Sequence, residues 1–179
     1  MPTIVSHAAV PLALGLGLGR RVISPRLLAV GLVASVLPDL DVIAFRLGIA
    51  YSNQLGHRGF SHSLLLAVLL AALAAIFASR LRSAHATAFV FVLVSAASHG
   101  LLDMMTTGGL GIAFLWPFSE QRFFFPAQVI RVSPLSIRRF LGPAGVAVFT
   151  SELRWIWLPA AAMCTSLFLA RKFTPRRTA

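Results

Sequence analysis

The stretch SLLLAVLLAALAAIFAS, residues 63–79, decides the fold class, because it holds no charged residue across its whole length. At a rise of 1.5 Å per residue, a helix of this length spans about 26 Å, close to the hydrocarbon core of a bilayer. Backbone groups in lipid must be satisfied within the segment, and the run lacks the alternation of a barrel strand. The stretch therefore predicts a transmembrane α-helix.

Other apolar segments flank this run: residues 2–19, 27–49, 86–105 and 153–170. Together they predict an all-α, multi-pass helical membrane protein of four to five transmembrane helices. The number is left open because residues 27–37 are too short to span and are followed by Pro38, which favours a break in a helix. We interpret residues 1–179 as a single membrane-embedded domain. Its predicted parts are a metal-site region over 1–125, a C-terminal transmembrane helix over 153–170 and a basic tail over 171–179.

The composition agrees with a membrane protein. The chain is 58% hydrophobic and 12% charged, with a mean hydropathy of +0.84, whereas a soluble domain is about one quarter charged. The net charge of +11 comes almost entirely from Arg between or after apolar runs. This placement is typical of loops beside phospholipid headgroups, so we expect no nucleic-acid partner. The lone Cys164 rules out a disulfide framework and a thiolate metal site.

The distribution of Arg predicts an orientation. Residues 20–26, 80–85 and 171–179 are dense in basic residues, and the opposite connections, 39–62 and 106–152, are sparse. The positive-inside rule assigns the dense set to the cytoplasm. We therefore expect an integral membrane protein with a polar site near its extracytoplasmic face.

Seven of the ten histidines and carboxylates fall into four groups beside or inside apolar runs. Ionisable groups at membrane depth are costly and tend to mark function. Histidine and aspartate are also ligands of divalent metals such as zinc. We predict a centre of one or two ions, held by these candidate ligands: His7; Asp39 and Asp41; His57 and His62; His99 and Asp103.

The spacing of two groups shapes the prediction. His99 and Asp103 are four residues apart, so a helix places both on one face, where they bind one ion or only each other. His57 and His62 point about 140° apart on a straight helix, so we expect Gly59 to turn the chain and aim both inward. The alternative is a loop with two solvated histidines. Either Ser61 or Ser63 is expected to cap the next helix.

Asp39 and Asp41 point the same way only on an extended backbone, which Pro38 favours. Both then bind metal, or one of them orients a ligand histidine; alternatively, Asp39 caps a helix. His7 is either a ligand or a packed polar residue. We take Arg58 and Asp41 as the candidate catalytic residues, with Arg58 binding a substrate anion.

Two further acids are interpreted as non-functional. Glu120, on the expected side of the site, is interpreted as an interfacial charge rather than a proton carrier. Glu152 is expected to form a surface pair with Arg154.

Five sequence pieces carry a resemblance: the segment with His7, LPDLD at 37–41, HRGFSHS at 57–63, SHGLLD at 98–103 and WPF at 116–118. With them, residues 1–125 resemble a bacterial and archaeal family of membrane-bound, LexA-regulated, metal-dependent hydrolases, the YdjM-like and YbcI-like proteins. The family is distantly similar to zinc-dependent phospholipase C and the fungal single-strand nucleases, helical phosphoesterases with a multi-zinc site of His and Asp. The resemblance implies a hydrolase that acts on phosphoesters, in the cytoplasmic or inner membrane of a bacterium or archaeon.

The leading hypothesis is therefore a membrane-bound, metal-dependent hydrolase. A zinc ion would activate water for attack on a phosphoester. A site at headgroup level favours a lipid or lipid-linked substrate, with membrane lipids as the partners. The alternatives are a metal-ion or proton transporter or channel, and a non-catalytic membrane protein with a structural metal. The sequence leaves the oligomeric state open.

Overall fold

All regular secondary structure is helical in the computed structural model, which describes residues 1–134 and 136–173. Single turns of 3₁₀-helix cover Ser6–Ala8 and Phe60–His62, a longer one covers Leu37–Val42, and a π-helical segment covers Leu153–Trp157. The predicted all-α class is confirmed, with no strand over the described ranges. The α-helices are α1 (Ala9–Leu18), α2 (Pro25–Val36), α3 (Ile43–Arg46), α4 (Leu64–Ile76), α5 (His85–Met104), α6 (Ile137–Phe140), α7 (Pro143–Glu152) and α8 (Leu158–Phe173).

Three helical units are long and apolar enough to cross a membrane: Pro25–Arg46, His85–Met104 and Pro143–Phe173. This number is lower than the four to five predicted. Two of the predicted spans, Ser6–Leu18 and Leu64–Ile76, are apolar but short. The 13 residues of α4 rise only about 20 Å, because the chain turns at Phe77 instead of continuing to residue 79.

The predicted extended break after Pro38 is wrong. Pro38 lies in the first turn of the 3₁₀-helix Leu37–Val42, where its missing N–H leaves no hydrogen bond unmade. The chain continues through this turn into α3, so that Pro25–Arg46 forms one helical unit of 22 residues. The acidic pair thus lies on a tightly wound backbone.

The last unit begins earlier than predicted. The sequence assigned 106–152 to a connection, but α7 occupies the end of that range and continues through the π-helical segment into α8. In the most apolar 18 residues of the unit Pro143–Phe173, only 11% are buried, against 44% for His85–Met104. The last unit therefore lies at the edge of the bundle. Of the predicted basic tail, residues 174–179 lie outside the described residues.

Small side chains let the central helices approach closely, as is usual in membrane bundles. Helix α5 packs against both α4 and α2, and α1 packs against α8. The buried side of α4 carries alanines at helical spacing, Ala67, Ala71 and Ala74. At Gly17 of α1, an added Cβ would come within 2.8 Å of Leu167 Cβ, which shows how close α8 lies.

The Arg-rich turns and the predicted His and Asp groups lie at opposite ends of the helices. The α1–α2 and α4–α5 turns meet at one end, where the Ser24 hydroxyl donates to the Leu81 carbonyl and Arg26 Nη1 donates to the Arg80 carbonyl at 3.0 Å. The four predicted polar groups lie at the other ends of the same helices: before α1, after α2, before α4 and in the last turns of α5. The antiparallel arrangement brings them together.

Candidate metal centre

Four buried side chains form the centre of the polar cluster: Asp39, His62, His99 and Asp103. Each offers one ligand atom, and these four atoms lie within 4.8 Å of one another. They come from three separate stretches of the chain, which the helix ends bring together. The predicted meeting of the polar groups is thus present in the structure.

The tautomer of His99 follows from its neighbour. Its Nδ1 lies 2.7 Å from the backbone carbonyl oxygen of Ser35, which can only accept a hydrogen bond. Nδ1 therefore carries the proton and donates it. Nε2 of the neutral ring is left with a lone pair that points into the cluster.

His62 is held in a similar way. Its Nδ1 lies 3.2 Å from Oδ2 of Asp41 and 3.0 Å from the hydroxyl oxygen of Ser61. A carboxylate at one ring nitrogen orients the other towards a metal in many protein sites. The Nε2 atoms of His62 and His99 face each other at 3.0 Å.

Two lone pairs at this separation repel unless a cation lies with them. One such cation is a proton on His62, since Nε2 also lies 3.2 Å from Oδ2 of Asp103. Burial alone would lower the pKa of His62, but the adjacent carboxylates of Asp103 and Asp41 outweigh burial and raise that pKa to about 9. The other candidate is a metal ion. Whether the centre suits one depends on the hydrogen-bond partners of the surrounding carboxylates.

The carboxylates at the centre have few protein donors. Both oxygens of Asp39 are buried, and neither accepts a hydrogen bond from any described residue. They lie 3.5 Å from His99 Nε2 and 3.6 Å from His7 Nε2. Buried carboxylates without partners are rare, because losing water without compensation is costly. Asp39 therefore has the properties expected of a metal ligand.

Asp103 is partly compensated. Its Oδ2 lies 3.1 Å from Nε of Arg58, in an ion pair that is not aligned as a hydrogen bond. The amino group of Met1 lies 4.0 Å from Oδ1, and burial lowers the pKa of that amino group to about 6. Asp103 thus keeps acceptor capacity towards the cluster.

The donor set fits a divalent cation. Two imidazole nitrogens and two carboxylate oxygens are a ligand combination suited to zinc and similar metals. Of the three aspartates, only Asp103 pairs with a guanidinium, that of Arg58, so the carboxylates outnumber the arginines and negative charge is in excess when the histidines are neutral. A divalent cation would balance this excess, and the residues present therefore fit such an ion.

Asp41 differs from Asp39 in its surroundings. It accepts from Ser61 Oγ at 2.5 Å and from the backbone N–H of Arg58 at 3.0 Å, and its Oδ1 lies 2.5 Å from His57 Nδ1. A 3₁₀-helix turns about 120° per residue, so side chains two positions apart point in different directions. The expectation that Asp39 and Asp41 point the same way is therefore wrong, and Asp41 orients histidines.

The remaining predicted histidines flank the centre. His7 is fully buried and stacks on His99, with ring centroids 3.7 Å apart, while its Nε2 lies 4.0 Å from Oδ1 of Asp103. The ring of His57 lies 5.8 Å from that of His62, on the other side of Asp41. His7 thus contacts the four-residue centre, whereas His57 lies outside it.

The predicted turn at Gly59 is present. An added Cβ there would come within 2.0 Å of the Gln54 carbonyl oxygen, so only glycine fits, and Arg58 before it has a φ of 64°. The turn lets His57 and His62 both reach Asp41. Ser63 caps α4 by accepting from the N–H of Leu66 at 3.2 Å, as one of the two predicted caps.

Arg58 is fully buried rather than directed to an open surface. Besides its ion pair with Asp103, its Nη1 donates to the Gly108 carbonyl and its Nη2 to Thr106 Oγ1, both at 2.9 Å. The guanidinium thus joins the loop after α5 to the centre. A second arginine, Arg122, donates to the carbonyls of Tyr51, Asn53 and His57, and so holds the loop that precedes α4 and carries Arg58. Nothing in the sequence around Arg122 pointed to this role.

The expected surface pair of Glu152 and Arg154 is wrong. Glu152 is 2% exposed, and its carboxylate accepts hydrogen bonds from Thr3 and Ser6. Residues two apart on a helix do not face each other. That spacing, together with the position of a lone acid in an apolar stretch, was the signal in the sequence that Glu152 is buried and does not pair with Arg154.

Comparison with known proteins places the chain among inner membrane proteins. The family described as YdjM inner membrane protein matches residues 1–175. The inner membrane protein YbcI of Escherichia coli (strain K12) is 47% identical over 173 residues, which cover 96% of this chain and all of that protein. No solved structure shows a significant match.

Proposed function

The chain belongs to the YdjM inner membrane protein family, and from this premise we propose that it is a membrane-bound, metal-dependent hydrolase. Its divalent cation, zinc in this proposal, would be held by Asp39, His62, His99 and Asp103. The substrate class is a phosphoester, either a lipid or a lipid-linked phosphate. The LexA control implied by the family resemblance stays a prediction.

One observation carries the proposal: the two Nε2 atoms of His62 and His99 face each other at 3.0 Å among carboxylate oxygens, and each ring has its other nitrogen engaged. Hydrogen bonds from outside the centre thus preset both imidazoles with their lone pairs inward. Asp39 adds two acceptor oxygens that no described residue uses. This preorganisation is characteristic of metal-binding histidines.

Held by these residues, a zinc-type cation would lower the pKa of a water molecule and would polarise a phosphoryl oxygen. The residues around it have separate roles in the proposal. Asp41 holds His57 and His62 in place through its two oxygens. Arg58 supplies a fixed positive charge, which stabilises negative charge developing on the substrate, beside Asp103.

A lipid substrate is supported by a groove beside Asp41. The groove has a volume of about 290 Å³, and its polar side chains are those of Asp41 and Ser61. Leu40, Ile43 and Leu47 on its wall are more than half exposed. A groove lined mostly by apolar side chains with two polar ones fits an acyl or isoprenyl chain that leads to a phosphate.

The orientation of the site is also part of the proposal. The Arg-rich turns lie at the helix ends opposite the polar cluster. If these turns face the cytoplasm, as the positive-inside rule favours, the metal centre faces the extracytoplasmic side. In the same proposal, the short apolar helices Ser6–Leu18 and Leu64–Ile76 complete four to five crossings of a bilayer.

A structural metal is the second candidate. It is favoured by the burial of His99 and Asp103, both 0% exposed, because structural sites are closed and catalytic sites keep an open position. A transporter is supported less well. Transporters usually bind near the bilayer midplane, whereas the polar groups here meet at the helix ends.

The test uses full-length protein purified in nanodiscs of defined phospholipid. Metal content is measured by mass spectrometry. Hydrolysis of a chromogenic phosphodiester is measured by release of its chromophore, and hydrolysis of a lipid phosphomonoester by release of inorganic phosphate. We expect bound zinc and activity to be lost together in His62→Ala and Asp103→Asn, with Glu120→Gln as an exposed carboxylate control. A metal-free variant with full activity would contradict the proposal. Stoichiometric zinc without hydrolysis of either substrate would favour the structural metal.

A further inference from the structure

Glu152 is a buried carboxylate that the metal centre itself does not use. It ends α7 within the apolar unit Pro143–Phe173 and is 2% exposed. Its Oε1 accepts from the backbone N–H of Thr3 at 2.5 Å, and its Oε2 accepts from the hydroxyls of Thr3 and Ser6, both at 2.7 Å. A carboxylate held by this many donors is tied firmly to the segment it contacts.

The backbone beside Glu152 is unusual in a way that strengthens this link. The N–H of Leu158 bonds to the carbonyl of Leu153, five residues earlier, as in a π-helix. In an α-helix, residues five apart point about 140° apart, but the wider π turn brings them towards one side. Trp157 therefore reaches the same segment as Glu152, and its Nε1 donates to Ser6 Oγ at 3.0 Å.

The segment held in this way leads directly into His7. Among the histidines at the centre, His62 and His99 each have one ring nitrogen fixed by a hydrogen bond. Neither ring nitrogen of His7 has a hydrogen-bond partner among the described residues. Its place against His99 therefore depends on ring stacking and on the backbone of residues 3–6.

We infer that Glu152 is a positioning residue that holds His7 at the metal centre from the far end of the chain. The inference rests on the metal centre of the proposed function. It gives the last membrane unit a role at that centre, since Glu152 fixes Thr3 and Ser6, and these fix the backbone from which His7 reaches Asp39. His7 is then a ligand or an immediate neighbour of the ion.

The experiment measures cobalt and zinc affinity and the visible spectrum of the cobalt form in full-length protein. Glu152→Gln should weaken metal binding about 10–100-fold, as loss of an orienting partner does elsewhere. Its cobalt spectrum should shift towards that of His7→Ala. The double variant should bind no more weakly than His7→Ala alone, because Glu152 acts through His7. Glu120→Gln, an exposed carboxylate, is the matched control and should match wild type.

Two milder variants test the inference even if Glu152→Gln does not fold. Ser6→Ala and Trp157→Phe each remove hydrogen bonds of the same segment and leave Glu152 in place. Both should weaken cobalt binding in the same direction as Glu152→Gln, by a smaller factor. Wild-type affinity and spectrum in folded variants at all three positions would overturn the inference and leave the metal centre intact. Absence of metal binding in wild type would instead overturn the proposed function, and the inference with it.

Discussion

Asp39 and Asp41 are two residues apart, yet they meet opposite surroundings. Asp41 contacts Ser61, His57, His62 and the N–H of Arg58, so both of its oxygens are occupied by protein groups. Asp39 is more deeply buried and accepts no hydrogen bond from the described residues. The difference shows that hydrogen bonding, more than residue type or burial, separates a carboxylate that orients others from one free to bind an ion.

Of the two aspartate variants, Asp39→Asn should have the larger effect on metal binding. Asparagine keeps the shape of the side chain but removes the charge that the cation would balance. Loss of an orienting partner weakens metal binding by up to about 100-fold, and we expect Asp39→Asn to weaken zinc binding by more than that. Isothermal titration in detergent measures the change, with circular dichroism as the control for folding. Unchanged zinc affinity in a folded Asp39→Asn variant would remove the distinction between the two carboxylates.

Chelation tests the same carboxylate through stability. A ligand at about 100 times its Kd stabilises the folded state by about 2.7 kcal/mol. Adding a chelator to zinc-loaded wild type should therefore lower the Tm clearly. The Asp39→Asn variant should show little change, because it holds no ion to lose. Equal Tm shifts in the two proteins would mean that the ion stabilises the fold from another site.

Asp41→Asn should have a smaller effect than Asp39→Asn. The amide can still accept one hydrogen bond from His62, but it cannot serve all the donors that surround Asp41. We expect zinc affinity to fall about 10–100-fold with the stoichiometry retained. Titration of zinc into both variants under identical conditions gives the ranking. The reverse order would assign Asp41 to the ion and Asp39 to support.

His57→Ala should have the smallest effect. Its ring lies beyond Asp41, and the four-residue centre does not include it. We expect a loss of less than about tenfold in zinc affinity, below the range for an orienting partner. His62→Ala is the matched comparison and should lose binding outright. Equal losses in the two variants would return His57 to the ligand set that the sequence predicted.

Much of the site could be predicted from the sequence because two simple patterns determine which residues meet. Apolar runs fix where the helices lie, and the placement of Arg fixes which ends lie together. These patterns were enough to bring His7, Asp39, His62 and His99 to one end of the bundle. The HxxxD spacing likewise places His99 and Asp103 on one face of α5, at its end.

Other features depend on tertiary packing and could not be predicted from these patterns. A run of apolar residues does not show where a helix stops, so α1 and α4 were expected to be longer than they are. Pro38 fits equally well before an extended segment or in the first turn of a 3₁₀-helix, and the two choices aim Asp41 differently. The partners of Glu152 are 146 and 149 residues away, beyond any local pattern.

The hydrogen bonds of Glu152 also have a consequence for biogenesis. During synthesis from the amino terminus, Thr3 and Ser6 emerge long before the carboxylate that they contact. A nascent chain can insert α2 to α5 and gather His62, His99 and Asp103 while its first residues still lack this partner. These bonds close only when the last hydrophobic unit has left the ribosome and entered the bilayer, so an interrupted translation product would carry an unsecured amino-terminal segment.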